Sequence, residues 1–196
     1  KKQQVLDVRQ RNLPQSAKDK SRGRFIPNEV KVVDKSYLEV KTHNTAYREE
    51  LRSICTKFSL NEEQERAFRI VASHATSPCA DQLKMYIAGM GGTGKSQVLK
   101  ALIDFFEWQN EAHRILIIAP MGTAAALLGG STYHSVFGIN DRNPASAKAL
   151  SQVRSQLTGV DYIFFDEVSM LSSQDMFKIH NQLARVLDAE EVSFGG

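Results

Sequence analysis

The sequence predicts an α/β domain with a mainly parallel sheet, three layers deep. Segments of strand character alternate with segments of helical periodicity from about residue 59 onward. Ile115-Leu116-Ile117-Ile118 is continuously apolar, as a parallel strand covered on both faces requires. A glycine loop, Gly89-Met90-Gly91-Gly92-Thr93-Gly94-Lys95-Ser96, stands between a short apolar run and a helical pattern.

Taken in order, residues 1–43 are polar and basic, with Pro14 and Pro27 as breakers. Lys1, Lys2, Arg9, Arg11, Lys18, Lys20, Arg22 and Arg24 face only Asp7 and Asp19 there. This extension reads either as a phosphate-contacting arm or as a flexible solvated tail. Val30–Val33 and Tyr37–Val40 are expected to be short strands within it. The domain proper spans 44–196. Asn44 to Thr56 reads as a helix with a thin apolar side of Ala46, Leu51 and Ile54. Asn61 is a good N-cap, and Gln64 three residues later completes a capping box for a helix buried through Ala67, Phe68, Val71 and Ala72. Spacing alone therefore assigns Gln64 a structural role.

Met85-Tyr86-Ile87-Ala88 reads as a short buried strand leading into the glycine loop. Gln97 to Trp108 reads as the following helix, packing through Val98, Leu99, Leu102, Ile103 and Phe106. The Ile115–Ile118 strand leads to Ala119-Pro120-Met121-Gly122-Thr123 and a small-residue helix, Ala124 to Leu128, stopped by Gly129-Gly130. Ser131 to Ser135 is expected as a loop. Asn143-Pro144 starts a helix with proline at its first position and Leu150, Val153 and Leu157 on its buried side. Val160 to Phe165 is mostly apolar and β-prone and ends abruptly in Asp166-Glu167. Ser172 then caps a helix in which Met176, Ile179, Leu183 and Val186 recur at helical spacing.

Composition narrows the class. The chain has 196 residues, 42% hydrophobic and 24% charged, which suits one globular domain with extra segments. A formal charge of +3 is weak support for an anionic partner. Cys55 and Cys79 lack metal-ligand spacing and read as free thiols in a reducing compartment. No apolar run reaches the roughly eighteen residues of a membrane span, and no secretory signal opens the chain. A soluble intracellular protein without a membrane partner is the expectation.

The glycine loop carries the chemistry. It fits G-x-x-x-x-G-K-[ST], in which backbone N–H groups wrap a nucleotide's phosphates. Glycines permit positive φ and leave no Cβ against the phosphates. A helix opening near Gly94 points unpaired N–H groups and its positive dipole end at the anion. Lys95 is suited to the β- and γ-phosphates, and the Ser96 hydroxyl to Mg²⁺. Two acids after a buried strand would lie at the carboxyl edge of a parallel sheet beside that loop. There Asp166 would hold the Mg²⁺ shell, and Glu167 would polarise a water for attack on the γ-phosphate.

These elements together resemble the first RecA-like domain of a superfamily-one DNA helicase, more narrowly the petite-integration-frequency (PIF) helicases and their relatives in Helitron transposons. Four segments carry the resemblance: Leu60-Asn61-Glu62-Glu63-Gln64 (the Q motif), Gly89 to Ser96 (motif I), Ala119 to His134 (motif Ia and the stretch after it) and Asp166-Glu167-Val168-Ser169-Met170 (motif II). Gly129-Gly130-Ser131-Thr132-Tyr133-His134-Ser135 is the most family-specific stretch. The resemblance implies a three-layer αβα RecA-like P-loop NTPase domain that uses ATP and Mg²⁺. It implies nucleotide contacts by Gln64, Gly89, Met90, Gly91, Gly92, Thr93, Gly94, Lys95 and Ser96, with Gln64 on the adenine edge. It places Pro120, Gly122 and Thr123 on the backbone of single-stranded DNA. His134 is implied on the DNA side, while a loop histidine read without the resemblance is an exposed or hydrogen-bonding filler. Where family members have Thr or Ser, this chain has Met121, which loses a hydroxyl donor to a DNA phosphate.

The family's motif III, second RecA-like domain and arginine finger do not occur in these residues. The expectation is a first domain, incomplete at its C-terminus, that binds nucleotide, hydrolyses it slowly and does not unwind DNA alone. In a complete enzyme the implied function is translocation on single-stranded and fork DNA in repair, recombination or telomere maintenance, in the nucleus or mitochondrion. A non-catalytic nucleic-acid-binding remnant of a transposon helicase is the alternative, and a P-loop NTPase that acts without DNA is another.

Overall fold

The computed structural model describes residues 45–77, 81–139 and 147–196. The basic extension, the strands expected at 30–33 and 37–40, Cys79 and the Asn143-Pro144 helix start lie outside them.

The sheet among the described residues has three parallel strands: β1 (Ile115–Ala119), β2 (Ser131–Thr132) and β3 (Tyr162–Phe165), in spatial order β2-β1-β3. Ile115 pairs with Tyr162 and Ile118 with Phe165, so β1 and β3 end together. The period of two sorts their side chains to opposite faces. Ile115, Tyr162 and Phe164 join a core with α1 (Thr45–Lys57), α2 (Glu62–Thr76) and α3 (Lys95–Trp108). Leu116, Ile118, Ile163 and Phe165 join a second core with α5 (Tyr133–Phe137), α6 (Ala147–Leu157) and α7 (Ser173–Val186). A sheet buried on both faces has no polar side, which is why Ile115 to Ile118 is apolar without alternation.

On the first face, Asn61 accepts from the Gln64 N–H and the Gln64 side chain accepts from the Asn61 N–H, so the expected capping box is present at the start of α2. Ala67, Phe68, Val71 and Ala72 are all buried. In α1 the buried side is Tyr47, Leu51, Ile54 and Cys55, whereas Ala46 is exposed. The larger ring of Tyr47 takes the inward place, donating its hydroxyl to the Ala72 carbonyl at 3.2 Å. Phe105 is the hub, with edge-on contacts to Tyr47 (6.1 Å), Phe68 (6.0 Å) and Phe106 (5.4 Å). Phe105→Ala is expected to destabilise the fold by about 3–5 kcal/mol, read as a lower urea midpoint with an unchanged slope.

Three expectations are corrected. Residues 81–90 carry no regular secondary structure, so the strand expected at Met85–Ala88 is absent. Ile87 packs on the first core, but Tyr86 is 73% exposed. The reason is pairing: a strand is stabilised by a ladder, and no described strand pairs with this segment. The loop expected at Ser131–Ser135 is instead β2 followed by α5. Thr132 caps α5 by accepting from the Ser135 N–H at 3.3 Å, and Tyr133, Val136 and Phe137 form its buried face. Between β1 and β2, α4 (Gly122–Leu127) replaces the helix expected two residues later.

Candidate nucleotide and nucleic-acid site

The direction of α3 sets the site. Near its C-terminal end, Phe106 packs at a tilt against Tyr162, the first residue of β3, with ring centroids 5.5 Å apart, and lies beneath the Arg114 guanidinium at 5.6 Å. Near its start, Leu99 shares a cluster with Ile117 and Leu128. The helix therefore runs against the strands, and its N-terminus with the preceding loop lies toward the carboxyl edge of the sheet. Arg114 secures the opposite edge through Asp161 (2.5 Å), Glu111 (2.5 Å) and the Ala75 carbonyl (3.2 Å).

In the loop, Gly92 and Gly94 both adopt φ of +81°, a region that disfavours side chains. The N-cap is Gly94, which has no side chain to bond the first amides of α3, so the helix start remains directed at an incoming anion. Lys95 Nζ donates to the carbonyls of Gly89 (2.8 Å) and Met90 (2.9 Å), and the Thr93 hydroxyl donates to Met90 (2.9 Å). The lysine thus cross-links the loop it projects from. Gly91 and Ser96 are exposed.

β3 delivers Asp166 and Glu167 to the same carboxyl edge. The Asp166 N–H donates to the Ile118 carbonyl at 2.8 Å, extending the ladder one residue past the strand. One Asp166 carboxylate oxygen accepts from the Glu167 N–H at 3.0 Å, and the other has no protein partner among the described residues. Glu167 is exposed and left-handed, with φ +52° and ψ +40°. That conformation costs a non-glycine residue roughly 1–2 kcal/mol, and it turns the chain sharply at the residue expected to handle water. Among the described residues no cluster of three or more His, Cys, Asp or Glu side chains could hold a metal. A single hydroxyl and a single carboxylate, Ser96 and Asp166, still suit Mg²⁺, which keeps several waters and takes phosphate oxygens from its substrate.

Pro120, Gly122 and Thr123 follow β1 and so occupy the same edge, with Gly122 and Thr123 exposed. Met121 is the N-cap of α4, makes no capping bond and is 51% exposed. His134 is exposed and sits on α5 rather than in a loop, its ring 3.9 Å from that of Tyr133. Gln64 lies at the loop: its Nε2 donates to the Thr93 carbonyl at 2.9 Å. That contact links residues 29 apart and leaves no mark in local spacing. Only the capping box, which turns the Gln64 side chain back toward the start of α2, hints at it. Cys55 is buried and makes no disulfide; burial pushes its thiol up to about 11, so it stays protonated at neutral pH. Among the described residues no helix is long and apolar enough to cross a membrane.

Comparison with known proteins bears on the family and the fold. The family model for PIF1-like helicases matches residues 59–196. The ATP-dependent DNA helicase PIF1 of Trypanosoma brucei brucei is 34% identical over 137 residues, covering 70% of this chain and 13% of that protein. The ATP-dependent DNA helicase RRM3 of Saccharomyces cerevisiae is 30% identical over 151 residues, covering 74% and 20%. The crystal structure of Bacteroides Pif1 bound to single-stranded DNA matches with a TM-score of 0.52 at 26% identity, over 70% of this chain and 30% of that one. A structure of two coordinating Pif1 helicases at forked duplex DNA matches with a TM-score of 0.53 at 27% identity, over 69% and 31%. The chain spans 13% and 20% of the length of the two curated relatives. With its RecA-like α/β fold and a family match that runs from ahead of the capping box to Gly196, the chain belongs to the PIF1-like helicases.

Proposed function

We propose that this chain is the nucleotide-binding part of an ATP-dependent DNA helicase that moves on single-stranded DNA and opens forks. The observation that carries the reading is the run of α3 against the strands, which brings the Gly89–Ser96 loop toward the edge where β3 delivers Asp166 and Glu167. Gly91 to Ser96 cradle the phosphates through backbone amides, and Lys95 neutralises them. Ser96 and Asp166 hold Mg²⁺, which when bound screens the phosphate charge. Glu167 accepts a proton from the water that attacks the γ-phosphate. Gln64 reads the adenine edge, and Pro120, Gly122, Thr123 and His134 line the strand path. A role in repair, recombination or telomere maintenance, in nucleus or mitochondrion, rests on the family resemblance.

An arginine finger accelerates hydrolysis by roughly 10³ to 10⁵, and the family resemblance places that finger in a second RecA-like domain. The expected behaviour of the purified chain is saturable ATP–magnesium binding, slow turnover and no unwinding. Binding to a labelled single-stranded oligonucleotide should weaken steeply as salt rises, because phosphate contacts release counterions. Absence of saturable ATP uptake by folded protein overturns the reading, and salt-insensitive oligonucleotide binding removes its DNA half. One observation favours a non-catalytic remnant instead: exposed Met121 stands where a hydroxyl would meet a phosphate. Release of inorganic phosphate that rises when single-stranded DNA is added excludes that alternative.

A further inference from the structure

The capping box of α2 does more than end a helix. Gln64 spends its backbone N–H on Asn61 Oδ1 (2.9 Å) and its side-chain oxygen on the Asn61 N–H (2.9 Å). These bonds lock the carboxamide in one orientation, with Nε2 donating to the Thr93 carbonyl (2.9 Å). The loop is also pressed against it: a Cβ built on Gly94 would lie 2.4 Å from Gln64 Nε2. Glycine at 94 is favoured by its φ of +81°, and its lack of a Cβ lets the carboxamide come this close without shifting.

A carboxamide offers two acceptor sites on oxygen and two hydrogens on nitrogen. The cap uses one acceptor site and the loop uses one hydrogen, so one of each is left for the edge of a base. Holding the loop and reading the base are compatible, and they are separable by experiment. We propose that Gln64 is a positioning residue for the phosphate loop: through its bond to Thr93 it sets the curvature of Gly92–Lys95 and tightens triphosphate binding whether or not a base is attached. The inference rests on the nucleotide-binding reading above and goes beyond adenine recognition, which would affect ATP alone.

The test uses the full chain and three ligands titrated calorimetrically: magnesium tripolyphosphate, which has no base, ATP–magnesium and GTP–magnesium. Gln64→Met keeps length and helix propensity but removes the donor. It is expected to weaken tripolyphosphate and GTP binding roughly three- to tenfold, the worth of one neutral hydrogen bond, and ATP binding by at least as much. Asn61→Ala frays the turn that carries the carboxamide without touching loop or ligand, and should weaken tripolyphosphate binding about two- to fivefold. Asn61→Asp keeps the capping acceptor and should restore it. Thermal melts identify any variant that has not folded, and the Asn61 pair then decides. Unchanged tripolyphosphate affinity in Gln64→Met, with ATP weakened or not, overturns the inference. Failure of the wild-type chain to bind any of the three is a different result, which overturns the nucleotide reading itself and takes the inference with it.

Discussion

Lys95→Ala is expected to abolish measurable ATP–magnesium binding under conditions where the wild-type chain saturates. Two losses combine. The ammonium is the one side-chain cation of the glycine loop, and charge-assisted bonds to phosphate are each worth about 1.5–3 kcal/mol. Its bonds to the Gly89 and Met90 carbonyls also disappear, and with them the cross-link that holds the loop closed on itself. Losing about 3–5 kcal/mol corresponds to a roughly 10²- to 4 × 10³-fold weaker affinity. Lys95→Arg should restore little, because a planar fork cannot take the place of a compact ammonium in so small a turn. Isothermal titration of ATP–magnesium checks the result. A thermal midpoint near that of the wild type shows that the fold is intact, since the loop lies outside the hydrophobic cores. An alanine variant binding within threefold of wild type would remove the loop from the binding site.

Glu167→Gln separates binding from chemistry. The two side chains have the same shape, and the left-handed backbone at 167 is equally strained in both, so the substitution changes proton affinity and charge alone. Turnover of ATP is expected to fall about 10²- to 10⁴-fold, the usual worth of a positioned base, with affinity within about threefold. Release of labelled phosphate at saturating ATP gives the rate, and titration gives the affinity. Equal loss of both would instead make Glu167 a ligand-holding residue, and its unusual backbone angle would then serve the metal shell.

Much of the candidate site could be read from the residues because its signals are local. The glycine loop is one unbroken octet. The capping box joins residues three apart, and β3 passes without a gap into Asp166-Glu167. Buried faces of α2, α3 and α7 follow from helical spacing, since a helix presents the same side every three or four residues. Met85–Ala88 has the composition of a strand, yet a strand exists only with a neighbour, and composition is silent on neighbours. At Ser131–Ser135 the hydroxyls, with Gly129-Gly130 just ahead of them, outweigh the Thr132 cap and the inward set Tyr133, Val136 and Phe137, which are visible only when the segment is extended to Gly138.

Residue order on its own specified a phosphate-gripping turn, an acidic pair after a strand, and an α/β alternation that allows them to meet. Chain packing decided that they share one edge. That outcome needs Phe106 against Tyr162 at one end of α3 and Leu99 beside Ile117 at the other, contacts between residues far apart in sequence. The bond from Gln64 to Thr93 is of the same kind. Local conformational preferences select the elements, whereas burial of apolar faces selects their directions, and direction is what turns separate motifs into a site.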